Sequence, residues 1–569
     1  MSDCNLKQRV TTTRRLTRAC LLAFACGAGA ASAAVPGIQG TGTAGTFNLV
    51  AGPGLSSQPD GVQLYSWGYG CATGTSPQFL PPVFGSIGKC PAMQLPGPTL
   101  IVTEGQSVTV NLLNNLPLGA GNTSILFTGQ SVTGAATAPQ PQTCTGAAAA
   151  APAPAGLRVT EAAPGCSVTY TFTPLNPGTY SYYSGTQPDL QIEMGLYGAL
   201  IVLPSNPPAS CTGLGRELGG GEEYRLAPSA YDHAATCYDR EYLFQFGEMD
   251  PRIHQQAQDQ VAALAACAGN VVQGVPTNPV TGQPCASSSL MVATQPYRPS
   301  YFVINGRSMP DDMDADYAPN YPAQPYNGNP HMHPLDQVLL RVIGQGRWEH
   351  PFHEHANHVR ILARDGNLML SQSSPNLLAG LMMFTTDTIP GQSFDGIFYY
   401  SGKGLNWDLY AHTPGNANNP SCVPDANGFY TAASGAKPPH FTNGALDNPA
   451  TASLNYGEWC ADHNHPLEAN PVGPVGGGGS VTLPDPLVAS NGLWYNGTPY
   501  LGPDAVNRSR GPTPLPPAGA LQNPPAESGI AFMWHSHNER EITTNDVFPG
   551  GSLMMMLVDP PVWYIDETL

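Results

Sequence analysis

Apolar and polar residues alternate along short stretches in the first third of the chain. Runs such as "GPTLIVTEGQSVTVNLLNNLP", "SVTYTFTPLNPGTYSYYSG" and "GLYGALIVLP" are rich in Val, Thr and Tyr and are bounded by Gly, Pro or Asn. Successive side chains on a strand point to opposite faces, so this pattern predicts half-buried strands joined by turns. It predicts a first β-sandwich over residues 34–205, interrupted by an Ala/Pro-rich loop at 134–156.

A second series of strand patterns follows a Gly-rich linker at 213–221. It includes "REYLFQFGE", "YFVINGRSM", "QVLLRVIGQG" and "NHVRILARDGN", and predicts a second sandwich over residues 206–412. Residues 413–528 are rich in Pro, Gly and Asn with little periodicity, which is typical of a long insertion. The runs "GIAFMWHSH" and "GGSLMMMLV" then predict that residues 529–569 return as closing strands.

Composition favours an all-β protein. Only 11% of the 569 residues are charged, and 64 Gly and 59 Pro disfavour long helices because both residues break them. The two strand-rich segments therefore predict tandem Greek-key sandwiches.

The N-terminus resembles an export signal. Five basic residues precede the small apolar run "ACLLAFACGAGAASA", which predicts cleavage after Ala33 and a signal peptide of residues 1–33. The apolar run is too short to span a bilayer, so we expect no membrane span after cleavage and a periplasmic or extracellular location. Removing five positive and one negative residue moves the formal charge from −18 to −22, which disfavours nucleic acid as a partner.

Cysteine usage is consistent with export. Three of the 13 cysteines lie in the signal, and the remaining ten allow up to five disulfides. Connectivity cannot be read from sequence, but four pairs of sequence neighbours are plausible. They are Cys71 with Cys90, Cys144 with Cys166, Cys211 with Cys237, and Cys267 with Cys285.

Histidines cluster in two places. The stretch "EHPFHEHANHV" contains His353 and His355, and "WHSH" contains His535 and His537. Members of each pair point the same way on a strand, so adjacent strands would bring four imidazoles into one pocket. Imidazole suits copper, zinc, iron or nickel, and the pocket could hold one or two ions. The alternative is that the histidines hydrogen-bond within a polar core.

Several segments in order along the chain resemble the multicopper oxidases, which are built from cupredoxin sandwiches. They are "PGPTLIVTEGQSVTVNLLNNL", "TSILFTGQ", "PGTYSYYSG…GLYGALIV", "EHPFHEHANHV" and "WHSHNERE…GGSLMMM". The resemblance implies tandem cupredoxin-like Greek-key sandwiches, copper as the cofactor and dioxygen or a small-molecule reductant as partners. It also places His350 at a type 1 copper ligand position.

The chain departs from the family pattern in a consistent direction. Eight histidines in four His-x-His pairs hold the family's trinuclear cluster, but two of these pairs fall here on "LFT" and "YSG". The four substituted positions are Leu126, Thr128, Tyr183 and Gly185. None of these residues can replace an imidazole, which predicts a reduced metal complement.

The type 1 copper position is altered as well. Ser536 stands where the family has the cysteine that binds copper and carries electrons to the cluster, and serine can do neither. The second histidine falls on Glu541 and the axial position on Asp546. His350, Glu541 and Asp546 could form a harder site that suits manganese or calcium, although a solvated acidic loop is the alternative. The flanking prolines predict a loop for His331 and His333, which remain unassigned.

The sequence therefore supports two main functional hypotheses. The first is an exported, copper-binding protein with oxidoreductase activity at a reduced site of His353, His355, His535 and His537, with His350 as a further candidate ligand. The second is a non-catalytic cupredoxin scaffold without copper. Manganese oxidation rests on family analogy and the acidic residues near Glu541. A hydrolase is disfavoured because no Gly-x-Ser-x-Gly motif occurs.

Overall fold

The computed structural model describes most of the two strand-rich parts of the chain. The described residues are 35–42, 45–133, 143–144, 153, 156, 158–212, 225–273, 275–285, 289–402, 423–442, 445–453, 456–459, 461, 498–500, 529–559, 561 and 564–565. The predicted signal, the 213–221 linker, most of the Ala/Pro-rich loop and most of the long insertion lie outside them.

The first part of the chain contributes eleven strands and one short helix. The strands are β1 Gly37–Gln39, β2 Thr46–Ser57, β3 Gln63–Cys71, β4 Gln78–Leu80, β5 Leu100–Thr103, β6 Val108–Asn114, β7 Leu126–Phe127, β8 Thr143–Cys144, β9 Cys166–Phe172, β10 Gly178–Tyr183 and β11 Tyr197–Leu203. Helix α1 is Pro188–Gln191.

These strands form two facing sheets. One has the order β4-β1-β5-β11-β10-β7 and the other β3-β2-β6-β9-β8. The predicted alternation is visible in β6, where Val108, Val110 and Leu112 are buried and the residues between them are partly exposed. Those three side chains pack in one hydrophobic core with Leu100 and Val102 of the opposite sheet. The first sandwich is thus built as the periodicity predicts.

The second part contributes strands from both sides of the long insertion. They are β12 Arg240–Met249, β13 Val271–Val272, β14 Val275–Pro276, β15 Tyr301–Ile304, β16 His331–Met332, β17 Gln337–Gly344, β18 His350–Glu354, β19 Val359–Arg364, β20 Asn367–Leu368, β21 Met382–Met383, β22 Thr385–Thr388, β23 Ser393–Tyr399, β24 Phe441–Thr442, β25 Ala445–Leu446, β26 Thr498–Tyr500, β27 Gly529–Ser536 and β28 Leu553–Val558.

Most of these strands belong to two sheets, which form the second sandwich. One has the order β15-β12-β17-β23-β19-β20 with β21 beside β19, and the other has the order β16-β28-β27-β18-β22 with β26 beside β27. Their inner faces share one core, in which Phe352 and Trp534 meet Phe244 and Phe398 of the opposite sheet. The strands of residues 529–558 therefore lie inside this sheet, between β16 and β18.

The two sandwiches pack against each other through outer faces. Ala199 and Ile201 of β11 share a hydrophobic cluster with Leu243 of β12 and Ile343 of β17. Buried hydrogen bonds add specificity, since the hydroxyl of Thr179 donates to Oδ1 of Asp395 at 2.6 Å. The outer faces of the sheets are consequently apolar here rather than solvated.

One long helix interrupts the β architecture. Helix α2 spans Pro251–Ala268, and Asp250 caps it by accepting a hydrogen bond from the backbone N–H of Arg252. Its buried residues Ile253 and Ala257 pack on the first sandwich's core. Strand-based reading of the sequence missed this helix. In the described part of the chain, no helix is long and apolar enough to cross a membrane.

The described residues contain four disulfides, and these join the four predicted neighbour pairs. They link Cys71 with Cys90, Cys144 with Cys166, Cys211 with Cys237, and Cys267 with Cys285. Cys422 and Cys460, which would supply a fifth pair, lie outside the described residues.

Candidate metal centre

Strands β18 and β27 lie side by side, and their register sets the candidate site. Paired residues share a face of the sheet, and the antiparallel pairs are Phe352 with Ser536, His353 with His535, and Glu354 with Trp534. Because side chains alternate, one face of this strand pair carries the histidines and the other faces the core. The predicted adjacency of the two His-x-His pairs is therefore what the structure shows.

The rings of His353 and His535 each have their centroids within 5.5 Å of those of the other three imidazoles. Potential ligand atoms of His353, His355 and His535 all lie within 4.8 Å of each other. The ring of His537 lies 5.0 Å from that of His353 and 5.4 Å from that of His535. The first three histidines are buried, whereas His537 is exposed. This arrangement leaves the cluster open to solvent on the side of His537.

Hydrogen bonds orient individual rings. Nδ1 of His535 lies 2.7 Å from the carbonyl oxygen of Ser536, which can only accept, so Nδ1 carries the proton and the lone pair of the neutral ring is on Nε2. Nδ1 of His353 lies 2.8 Å from the hydroxyl of Thr385. Nε2 of His535 lies 3.2 Å from Nε2 of His355, so two imidazole nitrogens face each other at the centre of the cluster.

The cluster favours neutral imidazoles. Burial lowers the pKa of His353 to about 4, and repulsion from the neighbouring rings of His355, His535 and His537 acts in the same direction. Burial also lowers the pKa of His535. Neutral imidazole is the form that binds transition metals.

The opposite face of β18 and β27 belongs to the core. Trp534 is fully buried and donates from Nε1 to the carbonyl oxygen of His355 at 3.0 Å. Glu354 is buried beside it, accepts from Thr386 at 3.1 Å, and has its pKa raised because burial disfavours the charged form. Packing on this face holds the backbone that carries the histidines.

His350 lies in a separate buried network on the core face. Its Nδ1 contacts Oε2 of Glu541 at 2.7 Å and its Nε2 contacts Oε2 of Glu248 at 3.0 Å. Burial alone would lower the pKa of His350, but the hydrogen bonds and charges of the two carboxylates raise it to about 9. Sequence reasoning missed Glu248, because it lies on β12, about 100 residues before its partner.

The other sequence candidates fall outside the cluster. Asp546 does not join His350 and Glu541, since its exposed carboxylate pairs with Arg540 at the surface. His331 and His333 do not lie in a simple loop, because His331–Met332 forms strand β16 beside β28. Both histidines are buried, and Nδ1 of His331 contacts Oδ2 of Asp559 at 2.9 Å.

The first sandwich supplies no imidazole at the four substituted positions. Leu126 on β7 lies opposite Tyr183 on β10, so the two positions are still cross-strand neighbours. The backbone N–H of Thr128 donates to the carbonyl oxygen of Ser181 at 3.0 Å, which continues the same pairing. The backbone arrangement is retained while the ligand side chains are absent.

Part of the chain matches known protein families. Residues 92–207 match the family model for a multicopper oxidase domain. A stretch of 111 residues is 34% identical to the multicopper oxidase MCE of Talaromyces pinophilus, covering 20% of this chain and 15% of that protein. A stretch of 121 residues is 36% identical to the iron transport multicopper oxidase FET3 of Gibberella zeae, covering 21% of this chain and 16% of the relative.

Solved structures show similarity over a longer part of the chain. The blue copper oxidase of Nitrosomonas europaea is 13% identical with a TM-score of 0.39, covering 90% of this chain and 85% of that chain. The multicopper oxidase mgLAC is 13% identical with a TM-score of 0.38, covering 92% and 87%. Residues 92–207 therefore carry a multicopper oxidase domain, which confirms the resemblance of the motifs in that part of the chain, while the chain spans less than a fifth of the length of these curated relatives.

Proposed function

We propose that this protein binds one or two copper ions through His353, His355, His535 and His537. The observation that carries the proposal is the convergence of three buried histidines whose ligand atoms lie within 4.8 Å, with the His537 ring beside them. Nε2 of His535 carries a lone pair and lies 3.2 Å from Nε2 of His355, so one cation could be bound by both nitrogens in place of their hydrogen bond. Imidazole donors fit copper.

Bound copper would supply one-electron redox chemistry with dioxygen or a small-molecule reductant. The chain's own residues would orient the imidazoles, through Thr385 on His353 and the Ser536 carbonyl on His535. The exposed His537 leaves one side of the cluster accessible to a small molecule. This reduced site supports an oxidoreductase with fewer copper ions than a complete family member holds.

A second function is favoured by a specific observation. The positions of Leu126, Thr128, Tyr183 and Gly185 supply no ligands, and Ser536 cannot conduct electrons as a copper-bound cysteine does. A copper-binding or copper-free scaffold without turnover is consistent with these losses.

We also propose that the chain is exported. Four disulfides within the described residues favour an oxidising compartment, since such bonds are rare in the cytosol. The predicted signal of residues 1–33 agrees with this. Identification of the N-terminus of protein recovered from the periplasm or medium tests the proposal, and an uncleaved cytoplasmic product refutes it.

Metal analysis by elemental mass spectrometry tests the copper proposal. We expect about one or two copper ions per chain in the wild type, as a four-histidine pocket allows, and loss of copper in the His353→Ala/His537→Ala variant. His440→Ala is a matched control, because His440 is 44% exposed and its nearest charged partner is Asp447. Wild-type protein that takes up no copper after loading would refute the proposal and favour the scaffold.

Oxygen consumption with small phenols and with ferrous ion separates the two functions once copper is shown. Turnover that disappears in the double histidine variant supports the oxidoreductase. Copper binding without turnover supports the scaffold.

A further inference from the structure

The buried network around His350 contains His350, Ser536 and Glu541, which the family resemblance aligns with type 1 copper ligands. His350 and Glu541 are fully buried, and Glu248 is 3% exposed. Oε2 of Glu541 also accepts a hydrogen bond from the hydroxyl of Ser536 at 2.5 Å. Four side chains from β12, β18, β27 and the turn after β27 therefore meet through hydrogen bonds of 3.0 Å or less.

The hydrogen-bond donors and acceptors in the pocket around His350 do not fit a copper ion. A carboxylate can only accept, so each ring nitrogen of His350 donates its own proton and neither has a lone pair for a metal. The hydroxyl of Ser536 donates to the same carboxylate and replaces a thiolate that would bind copper. An imidazolium between two carboxylates supplies the positive charge that a metal would otherwise bring.

Glu541 holds the turn that follows the second histidine pair. Besides Ser536, it accepts from the side-chain amide of Asn538 at 2.9 Å, and its backbone carbonyl accepts from the N–H of Ser552 at 2.7 Å. The backbone N–H of Glu541 in turn donates to the carbonyl oxygen of Asn538 at 2.8 Å. Glu541 is therefore fixed to the end of β27, which His537 directly follows.

The geometry of strand β27 couples the position of Glu541 to the candidate copper ligands His535 and His537. Ser536 lies between His535 and His537, and neighbouring side chains on a strand point to opposite faces. When Glu541 draws Ser536 to the core face, the two flanking imidazoles are directed to the opposite face, where His353 and His355 lie. A rotation of this strand end would displace both imidazoles together.

We infer that Glu541, held by His350 and Glu248, is a positioning residue that aims His535 and His537 at the copper site through Ser536. This inference rests on the proposed copper site. It assigns the former type 1 pocket a role without a metal. Groups that orient metal ligands in this way commonly change affinity by about 10- to 100-fold when they are removed.

Copper affinity and the electron paramagnetic resonance spectrum of bound Cu(II) test the inference. We expect Glu541→Gln and Ser536→Ala to weaken copper binding by about 10- to 100-fold, measured by chelator competition, and to change the spectrum. Ser536→Thr keeps the hydroxyl and is expected to recover most of the affinity. Ser181→Ala is the matched control, because Ser181 is equally buried and its hydroxyl donates to Gln345 at 3.0 Å, away from the site. Wild-type affinity and spectrum in folded Glu541→Gln and Ser536→Ala proteins would overturn the inference.

The copper-free protein separates this inference from the proposed function. Imidazole resonances of His535 and His537 in nuclear magnetic resonance spectra report ring position without metal. If the wild type binds no copper, the proposed function fails. A shift of both resonances in Glu541→Gln but not in Ser181→Ala then still supports positioning, and unshifted resonances refute it.

Discussion

His350→Gln should make the protein less stable at neutral pH and have little effect at high pH. The folded state raises the pKa of His350 from 6.5 to about 9. A group whose folded pKa is raised stabilises the protein fully below its unfolded pKa, and this stabilisation is lost as the pH rises through the folded pKa. The loss should therefore occur between about pH 6.5 and pH 9 or slightly above.

The size of the effect follows from the two pKa values. The difference between 6.5 and about 9, at 1.36 kcal/mol per pK unit, corresponds to about 3 kcal/mol. Urea unfolding of wild type and variant at pH 6, 7, 8, 9 and 10 gives the difference in the free energy of unfolding at each pH. Other groups titrating in this range, such as Glu193, are common to both proteins and cancel in the difference.

If the difference in the free energy of unfolding between wild type and His350→Gln stays constant from pH 6 to pH 10, the reasoning is refuted. Glu541→Gln provides a second test if His350→Gln does not fold, because removing one carboxylate lowers the pKa of His350 and should give a smaller change in the same direction. His440→Gln, at an exposed histidine, should show no such pH dependence.

Three further changes should alter stability. Glu354→Gln should stabilise the protein at pH 7, and increasingly at higher pH. Burial raises the pKa of Glu354, so the wild-type carboxyl group must take up a proton when the protein folds, whereas glutamine need not. A lower melting temperature of the variant at pH 8 would contradict this expectation. Trp534→Ala should cost about 3–5 kcal/mol in urea unfolding, since Trp534 is fully buried in the second core, and a loss below 1 kcal/mol would contradict that packing. Replacing Cys71 and Cys90 together with Ser should cost about 3 kcal/mol, because the bond closes a loop between residues 19 apart; equal stability of variant and wild type in urea would show that the bond does not contribute.

The sequence predicted the parts of the structure that depend on local alternation. Strands such as β6 and β9, the shared face of His353 and His355, and that of His535 and His537 follow from the two-residue period. Sequence neighbourhood also identified the four disulfide pairs. The family resemblance supported the expectation that these distant pairs meet.

Features that depend on long-range packing could not be predicted from the sequence. Glu248 joins His350 only because β12 packs opposite β18 in the sandwich, and no local pattern marks it. Asp546 was assigned to a site by position along the chain, but Arg540 pairs with it at the surface. Helix α2 was missed although Asp250 and Pro251 form a recognisable helix start, because composition was read as evidence against helices.

Strand β27 joins the second sandwich from the far side of the long insertion. His355 and His535 are 180 residues apart in the chain, yet their rings touch across one strand pair. An ion bound there would act as a reversible cross-link that closes this large loop and favours the folded state by mass action, by about 4 kcal/mol when free metal exceeds its dissociation constant a thousandfold. The concentration of available metal would then determine how well the pairing of β18 with β27 resists heat or protease, in addition to any chemistry at the site.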